Sequence, residues 1–313
     1  PPRSTLFPYT TLFRSMHALI HQKRNLMIDV VAVHINHMFR GLDANNDEAF
    51  VVNFCRSHEV PCYTFRIDVE ALALQLGISF EEAGRKVRYE KFQEVLTITE
   101  SHKIAVAQNK NDLIETFFIN LFRGAGIEGL SSIEYMRNKT IIRPLLDVDR
   151  NTIERYCEAN HLNPRIDITN ATNNYVRNRI RNEMIPYVEK HFNPSIGDAV
   201  YKTISVMKDE KDFWKKHTED LFERFGELST DVSPMIKLKE SAFSELQSAE
   251  IHQLIRFCLM KVKGSLKHVS YEDVLRIKSI QRTGAIIELQ DRIFIEKSYD
   301  QIIFYKIGRA SCR

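Results

Sequence analysis

The stretch that most constrains the fold is residues 103–130, KIAVAQNKNDLIETFFINLFRGAGIEGL, because the hydrophobic period changes inside it. Ile104-Ala105-Val106-Ala107 is an apolar run too short for a helix and bounded by polar residues, so it reads as a buried strand. A polar insert, Gln108-Asn109-Lys110-Asn111-Asp112, follows. From Asp112 the apolar residues Leu113, Phe117, Ile119, Leu121 and Phe122 fall on helical spacing until Gly124 and Gly126 end it. Asp112 and Glu115 thereby occupy the first turn of a helix that leaves the carboxyl end of a strand. Open parallel sheets bind ligands at that edge, and two carboxylates one turn apart suit a metal–nucleotide or a substrate amine. Acidic residues in a first turn also complement the helix dipole, and spacing leaves both readings open.

The same alternation runs through the flanking chain. Residues 27–33 form an apolar run that reads as a strand and delivers His34, Asn36 and His37 to its polar end. His34 and His37 are out of phase on a strand, so loop-lining roles suit them better than a shared metal. Residues 47–58 read as a helix with Ala49-Phe50-Val51-Val52 and Phe54 inward, and residues 61–69 as a strand with Tyr63, Phe65 and Ile67 alternating. Ser79 followed by Glu81 and Glu82 opens a helix on which Arg85 and Arg88 lie one turn apart, facing an anionic ligand or solvent. Residues 140–146 are extended, and residues 149–161 form a helix with Ile153, Tyr156 and Cys157 inward. This order predicts an α/β fold with a right-handed, doubly wound parallel sheet.

A polar loop, residues 164–175, contains Asp167 and Asn170 and leads into Tyr175-Val176-Arg177-Asn178-Arg179-Ile180-Arg181. On a helix Arg177 and Arg181 share a face and present two guanidinium forks, for a phosphate or carboxylate or simply as basic surface. Residues 186–194, between two prolines, mark a boundary. Beyond it come a long helix of mixed charge (198–225), helices over 241–261 and 271–280, and short strands at 286–289, 293–295 and 302–305.

Forty-four basic against 41 acidic side chains give +3, so any contact with nucleic acid must come from local patches. Five cysteines without a C-x-x-C pair indicate neither a zinc site nor a disulfide framework and fit a cytosolic location. No apolar run approaches the roughly 20 residues of a membrane helix. Residues 1–15 and 308–313 carry no period that joins the fold and are expected to be foreign to the gene.

Asn111-Asp112-Leu113-Ile114-Glu115-Thr116 with Phe122-Arg123-Gly124-Ala125-Gly126 resembles the D-x-x-E-T…RGxG motif of bacterial tRNA(Ile)-lysidine synthases, enzymes of the PP-loop ATPase superfamily. Three further stretches agree in order and spacing: His34-Ile35-Asn36-His37-Met38-Phe39-Arg40-Gly41; Phe80 through Tyr89; and Arg143-Pro144-Leu145-Leu146 leading to Asp167 and Tyr175 through Arg181. The likeness covers roughly residues 16–195. It implies a nucleotide-binding domain over 16–190, a helical substrate or linker domain over 191–265 and a partial C-terminal α+β domain over 266–307. It further implies that ATP adenylylates C2 of the wobble cytidine of tRNA(Ile) with a CAU anticodon, and that L-lysine then displaces AMP, changing AUG to AUA decoding. Asp112 and Glu115 would carry Mg²⁺ or lysine, Asp112 being the candidate metal ligand. Arg85, Arg88, His34, Asn36, Arg177, Asn178 and Arg181 would hold ATP or tRNA. Homodimerisation is left open. Gln108, Asn109 and Asn111 stand where the family has a histidine-rich stretch with two aspartates, which leaves one carboxylate fewer. The Ser-Gly-Gly-x-Asp-Ser loop is not found, and Arg14-Ser15-Met16 stands where its end would lie. The chain itself is therefore expected to be inactive. A PP-loop tRNA thiolase, which would need a reactive cysteine pair, and a non-catalytic tRNA-binding remnant are the alternative readings.

Overall fold

The computed structural model describes residues 9–39, 41–162, 176–229 and 234–307, with side chains from Ser15 onward. Arg40, Asp167, Asn170, Tyr175 and residues 308–313 lie outside the described residues. The chain divides into two compact units, Pro1–Met207 and Lys208–Arg313.

The first unit alternates helices and strands: α1 (Tyr9–Leu26), β1 (Ala32–Asn36), α2 (Leu42–Ser57), β2 (Cys62–Arg66), α3 (Val69–Leu76), α4 (Phe80–Ile98), β3 (Ile104–Ala105), α5 (Lys110–Phe122), α6 (Ile127–Leu130), β4 (Met136–Arg137), β5 (Ile141–Ile142) and α7 (Arg150–Ala159). Then α8 (Val176–Arg179), a π-turn (Ile180–Met184) and α9 (Ile185–His191) run without interruption, and α10 (Ile196–Phe225) follows. The parallel sheet is present in two pieces. β1 pairs with β2 from Ala32 opposite Cys62 to Asn36 opposite Arg66, and β3 pairs with β5, which carries β4 antiparallel on its other edge.

Several boundaries depart from the sequence reading. β1 starts at Ala32 rather than at residue 27, because residues 27 and 28 are used to end α1. Met27 adopts φ +52° and is 90% exposed, and the Ile28 N–H reaches back to the Lys23 carbonyl, a left-handed helix stop. α1 also takes in Tyr9–Ser15, set aside above as foreign, and Ser15 is buried. The inward stripe of α2 is Ala44, Asp47, Glu48, Val51 and Cys55, while Ala49 is exposed. Glu48 sits on that face because Asn36 of β1 and Arg66 of β2 meet it there. Val69 opens α3, capped by the Asp68 carboxylate accepting from the Ala71 N–H, instead of closing a strand. Ser79 caps α4 through the Glu82 N–H as the spacing predicts.

The core that holds α5 in place joins Leu113, Ile114, Phe117 and Phe118 to Leu146, Ile180, Val200 and Ile204. Each such side chain contributes about 1.5–3 kcal/mol on burial, so the helix is fixed along its whole apolar stripe.

The second unit holds the last turns of α10, then β6 (Gly226–Ser229), β7 (Met235–Lys239), α11 (Ala242–Glu245), α12 (Ser248–Lys263), α13 (Tyr271–Lys278), β8 (Ile286–Leu289), β9 (Ile293–Lys297) and β10 (Gln301–Lys306). Its antiparallel sheet has the order β6-β7-β10-β9-β8. Leu254, Ile255 and Leu259 of α12 pack on Ile236, Leu238, Ile293, Ile295, Ile302 and Phe304. One core therefore spans residues on both sides of position 265, and β6 and β7 add two strands that the sequence reading lacks.

Candidate active site

At the amino end of α5 the Asn109 side chain accepts from the Asp112 N–H (3.1 Å) and the Asp112 carboxylate accepts from the Asn109 N–H (3.0 Å). Asp112 thus caps its own helix, the role that spacing alone allowed. It also faces a second partner. Asp112 and Glu115 are 7% and 1% exposed, and both look toward α8 and the π-turn. Arg181 donates from Nε and Nη2 to the two Glu115 oxygens at 2.6 and 2.9 Å, and its Nη2 stands 3.6 Å from Asp112 Oδ1. Arg177 Nη1 lies 3.8 Å from Asp112 and 4.0 Å from Glu115, and its Nη2 donates to Thr116 Oγ1 at 3.2 Å. Asn178 is buried on the same turn. Two carboxylates and two guanidiniums form one neutral cluster.

Burial pushes the Glu115 carboxyl above the usual carboxylate range, outweighing the pull of Arg181 and Arg177 in the other direction. Burial works to lower the Arg181 guanidinium, and Glu115 and Asp112 more than reverse it.

A second polar cluster sits at the carboxyl end of β1. Asn36, 1% exposed, donates to Asn45 Oδ1 (3.1 Å) and Glu48 Oε2 (2.9 Å) and accepts from the Met38 N–H (2.9 Å). Arg66 Nε donates to both Glu48 oxygens at 3.2 and 2.9 Å. Burial works to raise the Glu48 carboxyl, but the hydrogen bonds from Arg66 and Asn36 prevail and hold it below its ordinary value. His34 is buried, and that burial lowers its imidazole. His37 is buried with its ring against Gly84, where a Cβ would stand 3.3 Å from Cε1. His34, Asn36 and His37 are therefore enclosed rather than emerging at an open edge. Sequence reasoning missed Glu48, Asn45 and Arg66; the one available signal was a glutamate on the inward stripe of α2.

Arg85 and Arg88 lie on α4. Arg85 is exposed and holds its guanidinium 5.4 Å from the Tyr89 ring centre, and Arg88 is half-buried. Of the cysteines, Cys55 and Cys62 pack in the core of α1, β1 and α2, and Cys157 and Cys258 are buried.

The model of the PP-loop domain matches residues 10–188, more than half of the sequence. The chain belongs to the PP-loop family. Among curated proteins it is 33% identical over 301 residues to a tRNA(Ile)-lysidine synthase of Clostridioides difficile (strain 630), covering 92% of this chain and 63% of that protein. It is 36% identical over 298 residues to that of Clostridium tetani (strain Massachusetts / E88), covering 93% and 62%. The chain thus spans somewhat under two thirds of the relatives it matches. The PP-loop match begins ahead of Met16 and takes in residues 10–15, in keeping with their place in α1.

Magnesium takes about six oxygen ligands in near-octahedral array. Here Asp112 is occupied by its helix cap, Glu115 by the Arg181 fork, and two guanidiniums stand where a dication would have to approach. Among the described residues no group of three or more His, Cys, Asp or Glu could hold a metal ion. The cluster does not fit a magnesium site built by the protein alone. No helix of the described residues is long and apolar enough to cross a membrane.

Proposed function

We propose that this chain is the catalytic and adjoining part of a tRNA(Ile)-lysidine synthase, with ATP, L-lysine and the tRNA(Ile) bearing a CAU anticodon as substrates. The observation that carries the reading is the arginine-gripped Asp112–Glu115 pair on α5, inside a PP-loop domain whose curated relatives bear that name. In the reaction the cytidine C2 oxygen attacks the α-phosphate of ATP, whose magnesium arrives as part of the substrate, and pyrophosphate leaves. The lysine amine then attacks C2, AMP departs and the amine gives up a proton.

The cluster suits the second step. A lysine ammonium is a cation like the guanidiniums it meets, so it enters by exchanging for one of them at the carboxylates. Glu115, raised by burial, holds a proton more readily than an ordinary carboxylate and takes it from the incoming amine. The released guanidinium is then free to pair with a phosphate or AMP oxygen.

The first step requires backbone N–H groups around the triphosphate, which a glycine-rich loop at a helix start supplies. The first glycine of the chain is Gly41.

The test is lysidine formation by a version carrying a Ser-Gly-Gly-x-Asp-Ser loop ahead of Met16. Asp112→Asn and Glu115→Gln should each lower turnover with labelled lysine while ATP- and tRNA-dependent release of pyrophosphate persists. Unchanged lysidine formation in both variants would remove the assignment.

A further inference from the structure

Between α4 and the β3–β5 strands lies a cavity of about 670 Å³, outside the Asp112–Glu115 cluster. Arg85, Lys86 and Tyr89 line it from α4, Arg137 and Asn138 from the end of β4 and the turn after it, and Ile104 and Ile141 from β3 and β5. Its size falls within the range of small-ligand sites. The charge is one-sided. Arg85, Lys86 and Arg137 supply three cations against the single carboxylate of Glu82 among the lining residues. Lys86 is 3.9 Å from Glu90, a loose exposed pair, whereas both guanidiniums are held on the Tyr89 ring, Arg85 at 5.4 Å and Arg137 at 5.9 Å.

The charge of these two guanidiniums reaches Arg143. Its guanidinium is lowered first by burial and then by the charges of Arg137 and Arg85, against the opposing influence of Tyr89 and Glu134. An anion held by the two forks would offset that charge. Leu76, Ile78, Ile104 and Ile141 add an apolar surface that a bare phosphate or carboxylate leaves unused. A phosphate joined to a flat, weakly polar base uses both.

We propose that this cavity binds one nucleotide of a single-stranded RNA segment, its phosphate between Arg85 and Arg137 and its base against the apolar wall. Tyr89 acts as the platform that holds the forks in place. Stacking surfaces interleaved with arginines are the usual means by which proteins hold unpaired RNA. The inference rests on the tRNA reading for the identity of the polymer, and the phosphate chemistry stands without it.

The experiment measures binding of fluorescently labelled tRNA(Ile) with the CAU anticodon, of an unrelated tRNA and of free AMP, to the full chain, over 50–300 mM salt. Arg85→Ala with Arg137→Ala should weaken tRNA binding about tenfold to a hundredfold, as expected when one or two charge-assisted hydrogen bonds are removed. It should also lower the slope of log affinity on log salt by about 0.7–1 for each phosphate no longer held. Tyr89→Phe should match the parent, because the ring and not the hydroxyl is used, and Tyr89→Leu should weaken binding. Equal loss for both tRNAs supports the cavity while counting against the isoleucine tRNA as its particular partner. An unchanged affinity and slope in the double variant, with parental binding intact, overturns the cavity and leaves the lysidine reading standing. Loss of AMP binding with tRNA binding unchanged assigns the cavity to a free nucleotide and overturns the RNA proposal.

Discussion

Replacing Arg181 by methionine should destabilise the first unit in a way that depends strongly on pH. The substitution keeps much of the volume and removes the fork that holds Glu115 at 2.6 and 2.9 Å, leaving a carboxylate that is 1% exposed. A buried charge stripped of its partner costs about 3–5 kcal/mol, unless it becomes neutral. Neutralising a glutamate with an ordinary value near 4.3 costs about 3.7 kcal/mol at pH 7 but only about 1.6 kcal/mol at pH 5.5. Protonation is therefore the cheaper escape, and it caps the loss. Arg177, 4.0 Å away, trims the figure further. The sign follows from linkage: the variant raises the folded-state value of Glu115 above the unfolded one, so the cost appears as pH rises past the unfolded value. Urea unfolding followed by circular dichroism should show a deficit of about 3 kcal/mol at pH 7 that roughly halves at pH 5.5. Adding Glu115→Gln should recover most of it at pH 7. A deficit that is the same at both pH values, or one below about 1 kcal/mol at pH 7, would show that the pair is not the buried, mutually dependent unit described here.

Arg177→Lys with Arg181→Lys keeps both charges but loses the planar forks, and should reduce ATP or tRNA binding in titrations of the two ligands. Placing a glycine-rich start ahead of α1 should raise pyrophosphate release from ATP, with Mg²⁺ and the isoleucine tRNA present, above that of residues 1–313 alone, since positioning is worth about 7–11 kcal/mol in favourable cases. His17 is buried beside His21 and His58, and burial first, then those two rings, lower it to about 4. Its native form is neutral, so stability should be full above pH 6.5 and decline as pH falls toward 4, a slope that His17→Gln should flatten in urea titrations. Pro186→Ala should let the π-turn relax toward α-helix, seen as altered hydrogen exchange at the Ile185 amide, and should weaken lysidine formation more than stability.

Where local chemistry and burial agree, the fold was legible from the residues. The Ser79 cap, the long α10 and the three closing strands follow from period and cap residues that point one way. The switch from strand to helix is there too, although β3 is only Ile104–Ala105 with Ala105 exposed and α5 opens at Lys110 rather than Asp112. The carboxylate pair and its two arginines were legible as separate pieces, since helical spacing places Asp112 with Glu115 and Arg177 with Arg181. That the two pieces close on each other was not, because 66 residues separate Glu115 from Arg181 and no local pattern encodes the meeting. The inward stripe of α2 was misread for a related reason. An inside-is-apolar rule selects Ala49-Phe50-Val51-Val52, whereas Glu48 turns inward to meet Asn36 and Arg66 across the chain. β6 and β7 were overlooked because Gly226–Ser229 and Met235–Lys239 are short and polar residues interrupt them, and they become strands only in the sheet that β10 completes.

Within the boundary read at residues 186–194 the break between α9 and α10 falls after His191, and the helix runs through Pro186 itself. In an α-helix a proline at 186 would forfeit a hydrogen bond to the carbonyl of residue 182 and press its ring on that carbonyl. The chain avoids this without stopping. Over Ile180–Met184 the helix widens, the Ile185 N–H reaches back five residues to the Ile180 carbonyl, and Pro186 falls in the opening turn of α9. The extra residue in that turn lies beside Arg181. Ile180, 3% exposed, anchors the start of the turn in the core that also holds Leu113 and Phe117, so the backbone carrying Arg181 is referenced directly to α5. Arg177 and Arg181 thus reach the same two carboxylates from successive turns of different pitch, one approaching chiefly Asp112 and the other gripping Glu115. Widened turns often mark sites where a helix trades regularity for the placement of a side chain. Here the proline and the arginine fork are five residues apart, and one distortion accommodates both.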